Sequence, residues 1–228
     1  MDYTLLAKTP LFKGTSGQEI AAMLHCLNAR TRSFAKGERI LHMGDMPHDV
    51  GLVLSGSVRI ESVDAWGNVT VLSRVEVGQV FAEAYACAPG VPMLVDAVAA
   101  QDCEVLLVDV ERVTTVCSNA CAHHARVLRN LLEAIARKNI RLSQRALHTS
   151  PKTIRGKVLS YLSSQAAQAE SHEFDIPFNR QELADYLGVD RSALSAELGR
   201  MQKAGIIATR RSHFVLKESP LEPSPYSG

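Results

Sequence analysis

Arg191, Ser192 and Ser195 are polar side chains set among apolar neighbours at a spacing that gathers them on one side of a helix. A guanidinium matches the O6 and N7 edge of guanine with two hydrogen bonds, and a serine hydroxyl bonds to any base, so this set could read DNA in a major groove. Asn179, Arg180 and Gln181 would open the preceding helix, where their side chains and free backbone amides could hold phosphate. Arg200 and Lys203 lie further down the reading helix, and Arg211 beyond them could touch an adjacent phosphate or simply be solvated. A second group, Cys117, Cys121 and His124, falls at i, i+4 and i+7 on one helical face. Two thiolates and an imidazole could bind zinc or another soft metal, with His25 or Cys26 as a source of the missing ligand. The same spacing is ordinary helix periodicity, so the cysteines could equally pack under a helix while the histidines face water. Cys121 with His124 is the nearest approach to a nucleophile and base, but residues at i and i+3 rarely converge on one attacking geometry and no glycine turn adjoins them for an oxyanion; the chain is read as no enzyme.

Positioning the reading set requires two short helices and a tight corner. Asn179 can cap the first helix while Glu182, three residues on, reaches back to it, and Leu183, Ala184 and Leu187 supply the buried stripe. Gly188 tolerates the left-handed turn that ends this helix, and Asp190 caps the next, whose Ala193, Leu194, Glu197 and Leu198 follow a 3.6-residue period. That is the layout of a helix-turn-helix, which enters the groove by the first turns of its second helix. Two amphipathic helices packed in an unrelated core are the alternative. After Gly205, two short alternating runs flank a polar turn at Arg211 to His213 and predict a wing hairpin.

Upstream, residues 7–29 carry apolar side chains at helical spacing. From Thr31 to about Val110, short β-branched runs punctuated by glycine predict an antiparallel barrel or sandwich. Residues 122–149 predict one helix about 42 Å long. Leu128, Leu132, Ile135, Asn139 and Leu142 repeat along it at four-three spacing, a stripe suited to a two-stranded seam in which Asn139 could fix register; packing on the β domain alone is the alternative. Ser150-Pro151 breaks the helix and Thr153 can begin another over 154–168. The expected division is 1–121 sensor domain, 122–149 dimerisation helix, 150–217 winged helix-turn-helix and 218–228 disordered tail.

A chain of 228 residues can bury two modest cores. Residues 150–217 hold ten Lys/Arg against seven Asp/Glu, whereas residues 1–149 hold fifteen of each, so the basic excess sits with the reading helix. It is mild, and nucleic-acid binding has to be argued from arrangement. Five cysteines are an odd number, and the opening Met1-Asp-Tyr-Thr-Leu-Leu-Ala-Lys8 lacks a secretory apolar run; both point to a reducing cytoplasm. Nothing approaches the ~18 uninterrupted apolar residues of a membrane span, so no membrane is expected as a partner.

Small β domain, long helix and winged helix-turn-helix, in that order, resemble the Crp/Fnr superfamily of bacterial transcription regulators. The likeness rests on Phe34-Ala-Lys36-Gly37-Glu38, Gly44-Asp45, Leu54-Ser-Gly56-Ser-Val58, Gly78-Gln-Val-Phe-Ala-Glu83 and the helix-turn-helix, and it spans nearly the whole chain. It implies an α+β fold with an N-terminal antiparallel β-roll (a cupin-like jelly roll), a long dimerisation helix and a C-terminal winged helix-turn-helix. The implied partners are double-stranded DNA, a second copy of the chain and RNA polymerase.

The resemblance places an effector pocket at Glu83, Cys87, Met93, Leu94 and Asn139. Members that bind cyclic nucleotide use a Glu for the ribose hydroxyl and, about ten residues later, an Arg-Ser pair for the phosphate. Glu83 matches the first, but no Arg or Lys occurs between Arg74 and Arg112, and the pair falls at Met93-Leu94. A phosphate there would keep its desolvation cost, on the order of several kcal/mol, without a charge-assisted bond. Cyclic AMP is therefore not expected. Nor is an iron–sulfur cluster, since only Cys26 lies in the first 80 residues. Cys87 could ligate haem, act as a thiol sensor or pack in the core. A family arginine that reads a base falls at Ala196, and Glu197 could accept from cytosine or belong to the inner stripe. The reading is a sequence-specific homodimeric regulator on a palindromic site, under an effector that is unknown and neither cyclic nucleotide nor iron–sulfur cluster. A metal-, haem- or thiol-redox-sensing member using Cys/His, and a sensory adaptor without specific DNA binding, stay open.

Overall fold

Strands whose side chains are apolar on both faces need cover on both sides, and the first half of the chain supplies it with a second sheet on one side and helices on the other. The computed structural model describes residues 2–115 and 122–217, with side chains from residue 124 in the second stretch, so Cys117, Cys121 and the tail lie outside the described residues. Helices α1 (Tyr3–Lys8) and α2 (Gly17–Cys26) precede strands β1 (Arg30–Phe34), β2 (Arg39–Leu41), β3 (Asp49–Ser55), β4 (Val58–Val63), β5 (Val69–Val75) and β6 (Val80–Phe81). Then follow α3 (Glu83–Ala86), β7 (Asp96–Ala99), β8 (Cys103–Asp109), α4 (Val110–Thr114) and the 28-residue α5 (Ala122–Thr149). The remaining elements are α6 (Ile154–Ala169), β9 (Glu173–Asp175), α7 (Arg180–Leu187), α8 (Arg191–Lys203), β10 (Ile207–Arg210) and β11 (His213–Leu216). Two compact units result, Met1–Lys138 and Asn139 onward, so α5 contributes to both.

The first unit is an antiparallel β-roll of two sheets, ordered β1-β8-β3-β6 and β2-β7-β4-β5. In the central pair β3 and β8, Val53, Val105 and Leu107 join Phe34, Val58, Val75 and Phe81 in the core between the sheets. Val50, Leu52, Leu106 and Val108 point the other way, under Phe12, Ile20 and Leu27 from the N-terminal segment and Val127 and Leu131 from α5. Asn130 secures the helix there by donating to the carbonyls of Leu11 and Lys13, both at 3.0 Å. Where β4 turns into β5, Asp64 accepts from the amides of Trp66 and Asn68, and the Trp66 side chain is left 86% exposed.

Two expectations about α5 change. Its inner stripe is His124, Val127 and Leu131, offset from the four-three stripe, and His124 is buried where the packing alternative had it facing water. Leu128 and Ile135 are half-buried against their own unit, whereas Leu132 (58% exposed), Asn139 and Leu142 (62%) stay uncovered together with Ile140 and Leu147. A single-stripe reading could not separate the faces because the helix is apolar on more than one side.

In the second unit, Val158 and Leu162 of α6, Leu183 and Leu187 of α7, Leu194, Leu198 and Met201 of α8, and Phe214 of β11 close one core. The wing has three strands, ordered β10-β11-β9, where the sequence suggested two. Phe174 and Ile176, buried at alternate positions, were the overlooked signal of β9.

Gly51 on β3 faces the Phe81 ring, into which any Cβ would be driven. Gly51→Ala should therefore destabilise the first unit by about 1–3 kcal/mol, as overpacking does, measured as a lowered urea midpoint at unchanged slope.

Candidate nucleic-acid interface and sensor site

The reading helix is built by its caps. Asn179 accepts from the amides of Gln181 and Glu182 at 2.9 and 3.0 Å, while the Glu182 carboxylate takes the Asn179 amide at 2.7 Å. Gly188 closes α7 in the left-handed region, and Asp190 caps α8 through the Ala193 amide at 2.9 Å. Leu194, Glu197 and Leu198 face inward, which leaves Arg191, Ser192, Ser195 and Ala196 exposed at the start of α8. Ser192 bonds to the Asp190 carboxylate, so its hydroxyl is already oriented by the cap. An open cleft of about 810 Å³ between the wing turn and the start of α7 brings Phe178, Asn179, Arg180, Arg191 and Arg211 together.

Two observations bear on the phosphate reading of this cleft. The amides of Gln181 and Glu182 are not free for phosphate, because the capping box takes them. Arg180 is a half-buried strut, its guanidinium 5.1 Å above the Phe214 ring and donating to Thr209 Oγ1 at 2.8 Å, so it fastens α7 to the wing. Arg211 occupies the wing tip at φ +55°, exposed, as a phosphate contact would require.

Glu197 is buried between Arg155 Nε at 2.7 Å and Arg200 Nη2 at 2.6 Å. Those hydrogen bonds hold its carboxyl below the usual carboxylate range, and the residue is committed to the inner face with no freedom to accept from cytosine. Arg200, a sequence candidate for phosphate, is held in the same network with its side chain largely exposed.

In the first unit Glu83 is 2% exposed, and Lys138 Nζ from α5 lies 2.6 Å from its Oε1. Its Oε2 finds no hydrogen-bond partner among the described residues. Met93 is buried and Leu94 exposed, and Asn139 belongs to the second unit. Cys87 is exposed rather than packed in the core; burial around its sulfur, then the Glu83 carboxylate, push the thiol above its ordinary value. Less thiolate means a poorer nucleophile and ligand. Among the described residues no three His, Cys, Asp or Glu side chains gather for a metal, and no helix is long and apolar enough to cross a membrane.

Two family descriptions match the chain side by side, the cyclic nucleotide-binding domain over residues 31–120 and the Crp-like helix-turn-helix domain over residues 156–222. The chain belongs to the Crp/Fnr superfamily. Among solved structures it is similar to the catabolite activator protein of Thermus thermophilus, with 24% identity, 92% of this chain and 94% of that one covered, and a TM-score of 0.51. It is also similar to the c-di-GMP responsive global regulator CLP of Xanthomonas campestris, at 18% identity, 90% and 100% coverage, and a TM-score of 0.54. A third likeness is to CprK complexed with OCPA, at 14% identity, 87% and 89% coverage, and a TM-score of 0.56. No curated protein matches the chain in sequence. The helix-turn-helix match places the chain in the Crp-like family of DNA-binding transcription regulators.

Within the Crp/Fnr frame Lys138 is the residue that sequence reasoning missed. The gap in basic residues between Arg74 and Arg112 is real, but a cation reaches Glu83 from a helix more than fifty residues away. Its signal was available: Lys138 continues the inner stripe of Val127 and Leu131, where a charged residue demands a partner. Lys138→Met should cost about 1–3 kcal/mol, because it strands a buried carboxylate, and Glu83→Gln should cost less, because Lys138 can turn to water. Chemical denaturation of the two variants checks that order.

Proposed function

We propose that this Crp/Fnr protein is a homodimeric, sequence-specific regulator that reads a palindromic site with Arg191, under an effector other than a cyclic nucleotide or an iron–sulfur cluster. The observation that carries the reading is the exposed Arg191 guanidinium on the first residue of a capped helix whose inner face is fully anchored. Side chains at that position reach base edges, and Ser195 and Ala196 beside it are small enough to let the helix sit deep in the groove. Arg211 at the wing tip and the exposed Arg200 supply backbone contacts that fix register without choosing sequence. RNA polymerase is the downstream partner that family membership implies.

Dimerisation is supported by Leu132, Ile140, Leu142 and Leu147, a band of apolar side chains on α5 that the chain itself leaves in water. The effector reading is supported by the Glu83–Lys138 pair. The cation nearest the family's ribose-binding carboxylate is already engaged, so a cyclic phosphate meets no free positive group at Met93 and Leu94. Structures of the same fold include a c-di-GMP responsive regulator and a complex with OCPA, so the fold by itself does not choose the effector.

Arg191→Ala should cost about 1–3 kcal/mol per half-site and relax preference at one base pair. Selection from a random DNA library checks this; no palindromic enrichment by the wild type, or an unchanged motif from the variant, removes the assignment. Leu132→Asp with Leu142→Asp should give monomers by sedimentation at concentrations where the wild type is dimeric, since both side chains are exposed and neither is needed for the first unit's core.

A further inference from the structure

The final turns of α5 belong to the second unit and take hold of the helix-turn-helix at the end of α7, mainly through Tyr186. Arg145 donates from Nε to the Tyr186 carbonyl and from Nη2 to the Asp185 carbonyl, each at 3.2 Å, and its guanidinium lies 5.8 Å from the centre of the Tyr186 ring. These are carbonyls of the last turn of α7, the negative end of that helix, where a cation is favoured. His148, 3% exposed, has Nδ1 at 2.8 Å from the Tyr186 hydroxyl and Nε2 at 2.8 Å from Ser164 Oγ on α6. The rings of Tyr161 and Phe178 complete the cluster around Tyr186, with centroids 5.3 and 5.0 Å away. The backbone, ring face and hydroxyl of one residue are thus all held, and α5 contributes to each.

Such a grip exceeds what core packing needs. The core of this unit is closed by leucines on α6, α7 and α8, and Tyr186 sits only half-buried at its margin. What the grip does fix is the placement of α7 on the very turns of α5 that carry the exposed Leu142 and Leu147. Because α8 packs on α7, α8 is then held at a set distance and angle from the side of α5 that a second copy would cover. We propose that Arg145 and His148 are positioning residues which set the separation of the two recognition helices, and hence the half-site spacing that the dimer accepts.

Burial favours the neutral form of this imidazole. Its partners are the hydroxyls of Tyr186 and Ser164; around them stand Tyr161 from α6 and Arg145 from its own helix, and none of these is a carboxylate. Burial accordingly holds His148 below the ordinary histidine value. As pH falls below about 6.5, the released imidazole takes up a proton before the gripped one does, so the grip weakens in acid.

This inference rests on the DNA-reading role proposed above, and the test separates the two. Binding of the full-length wild type and of Tyr186→Phe, Arg145→Ala and His148→Gln is measured on the selected palindrome, on versions with one base pair added or removed between half-sites, and on a single half-site. Thermal unfolding of each variant runs in parallel. The expected result is a wild type that rejects the altered spacings and variants whose rejection weakens by about tenfold, the factor for one lost hydrogen bond, while single half-site affinity is kept. Wild-type rejection should also fade between pH 7.5 and 5.5, and that of His148→Gln should not change. Variants that keep the wild-type spacing preference overturn the proposal while leaving the DNA-reading role intact; a wild type without specific binding overturns both. Hydrogen exchange of α7 needs no DNA: amides of residues 183–187 should exchange faster in Tyr186→Phe, and unchanged exchange counts against the grip.

Discussion

A carboxylate taken out of water has to bring a cation with it, and in this protein that requirement decides which basic residues remain available for function. Asp96 has Arg39, Glu61 has Arg59, Glu83 has Lys138 and Glu197 has both Arg155 and Arg200. Three of the four carboxylates draw a cation from a different element, so the pairs also staple strands and helices together. The consequence for function is subtractive. Among the described residues, the cation that reaches Glu83 is already paired with it, and the start of α8 keeps one long donor, Arg191, with small side chains around it.

The helix-turn-helix was legible because its signals are local. Asn179 and Glu182, Gly188 and Asp190 act on neighbours within four residues, and each satisfies a backbone group that the helix leaves orphaned. The β-roll was legible as a class, since glycine turns and β-branched runs leave few alternatives, but its pairing was not. Nothing in the spacing of Val50 to Val53 says that these residues lie across from Val105 to Val108; that follows from burial on both faces, a property of the assembled sheet.

The candidate sites were legible in part for the same reason. Exposure of Arg191 and Ser195 follows from the helical period that buries Leu194 and Leu198, and the inward place of Glu197 follows from it too. The use of Arg180 did not follow, because its partners Thr209 and Phe214 are about thirty residues downstream in the wing. Lys138 and His148 illustrate a common rule. A polar residue on an apolar face announces that a partner exists, and only the fold says which one.

The lone tryptophan, at the tip of the β4–β5 hairpin, is surrounded by solvent. Its emission should therefore be red-shifted and readily quenched in the native protein, and it will hardly change when either core melts. Tyr161 and Tyr186 pack together inside the DNA-reading unit while Tyr3 and Tyr85 belong to the first, so absorbance and near-ultraviolet dichroism of tyrosine weigh the second unit more heavily. The core of the first unit, built around Phe12, Phe34 and Phe81, is weak in both methods, with Tyr85 at its margin. Conventional fluorescence would thus make a two-unit protein look as though it had one transition or none, and a quencher of the indole would report contact at the hairpin while saying little about folding.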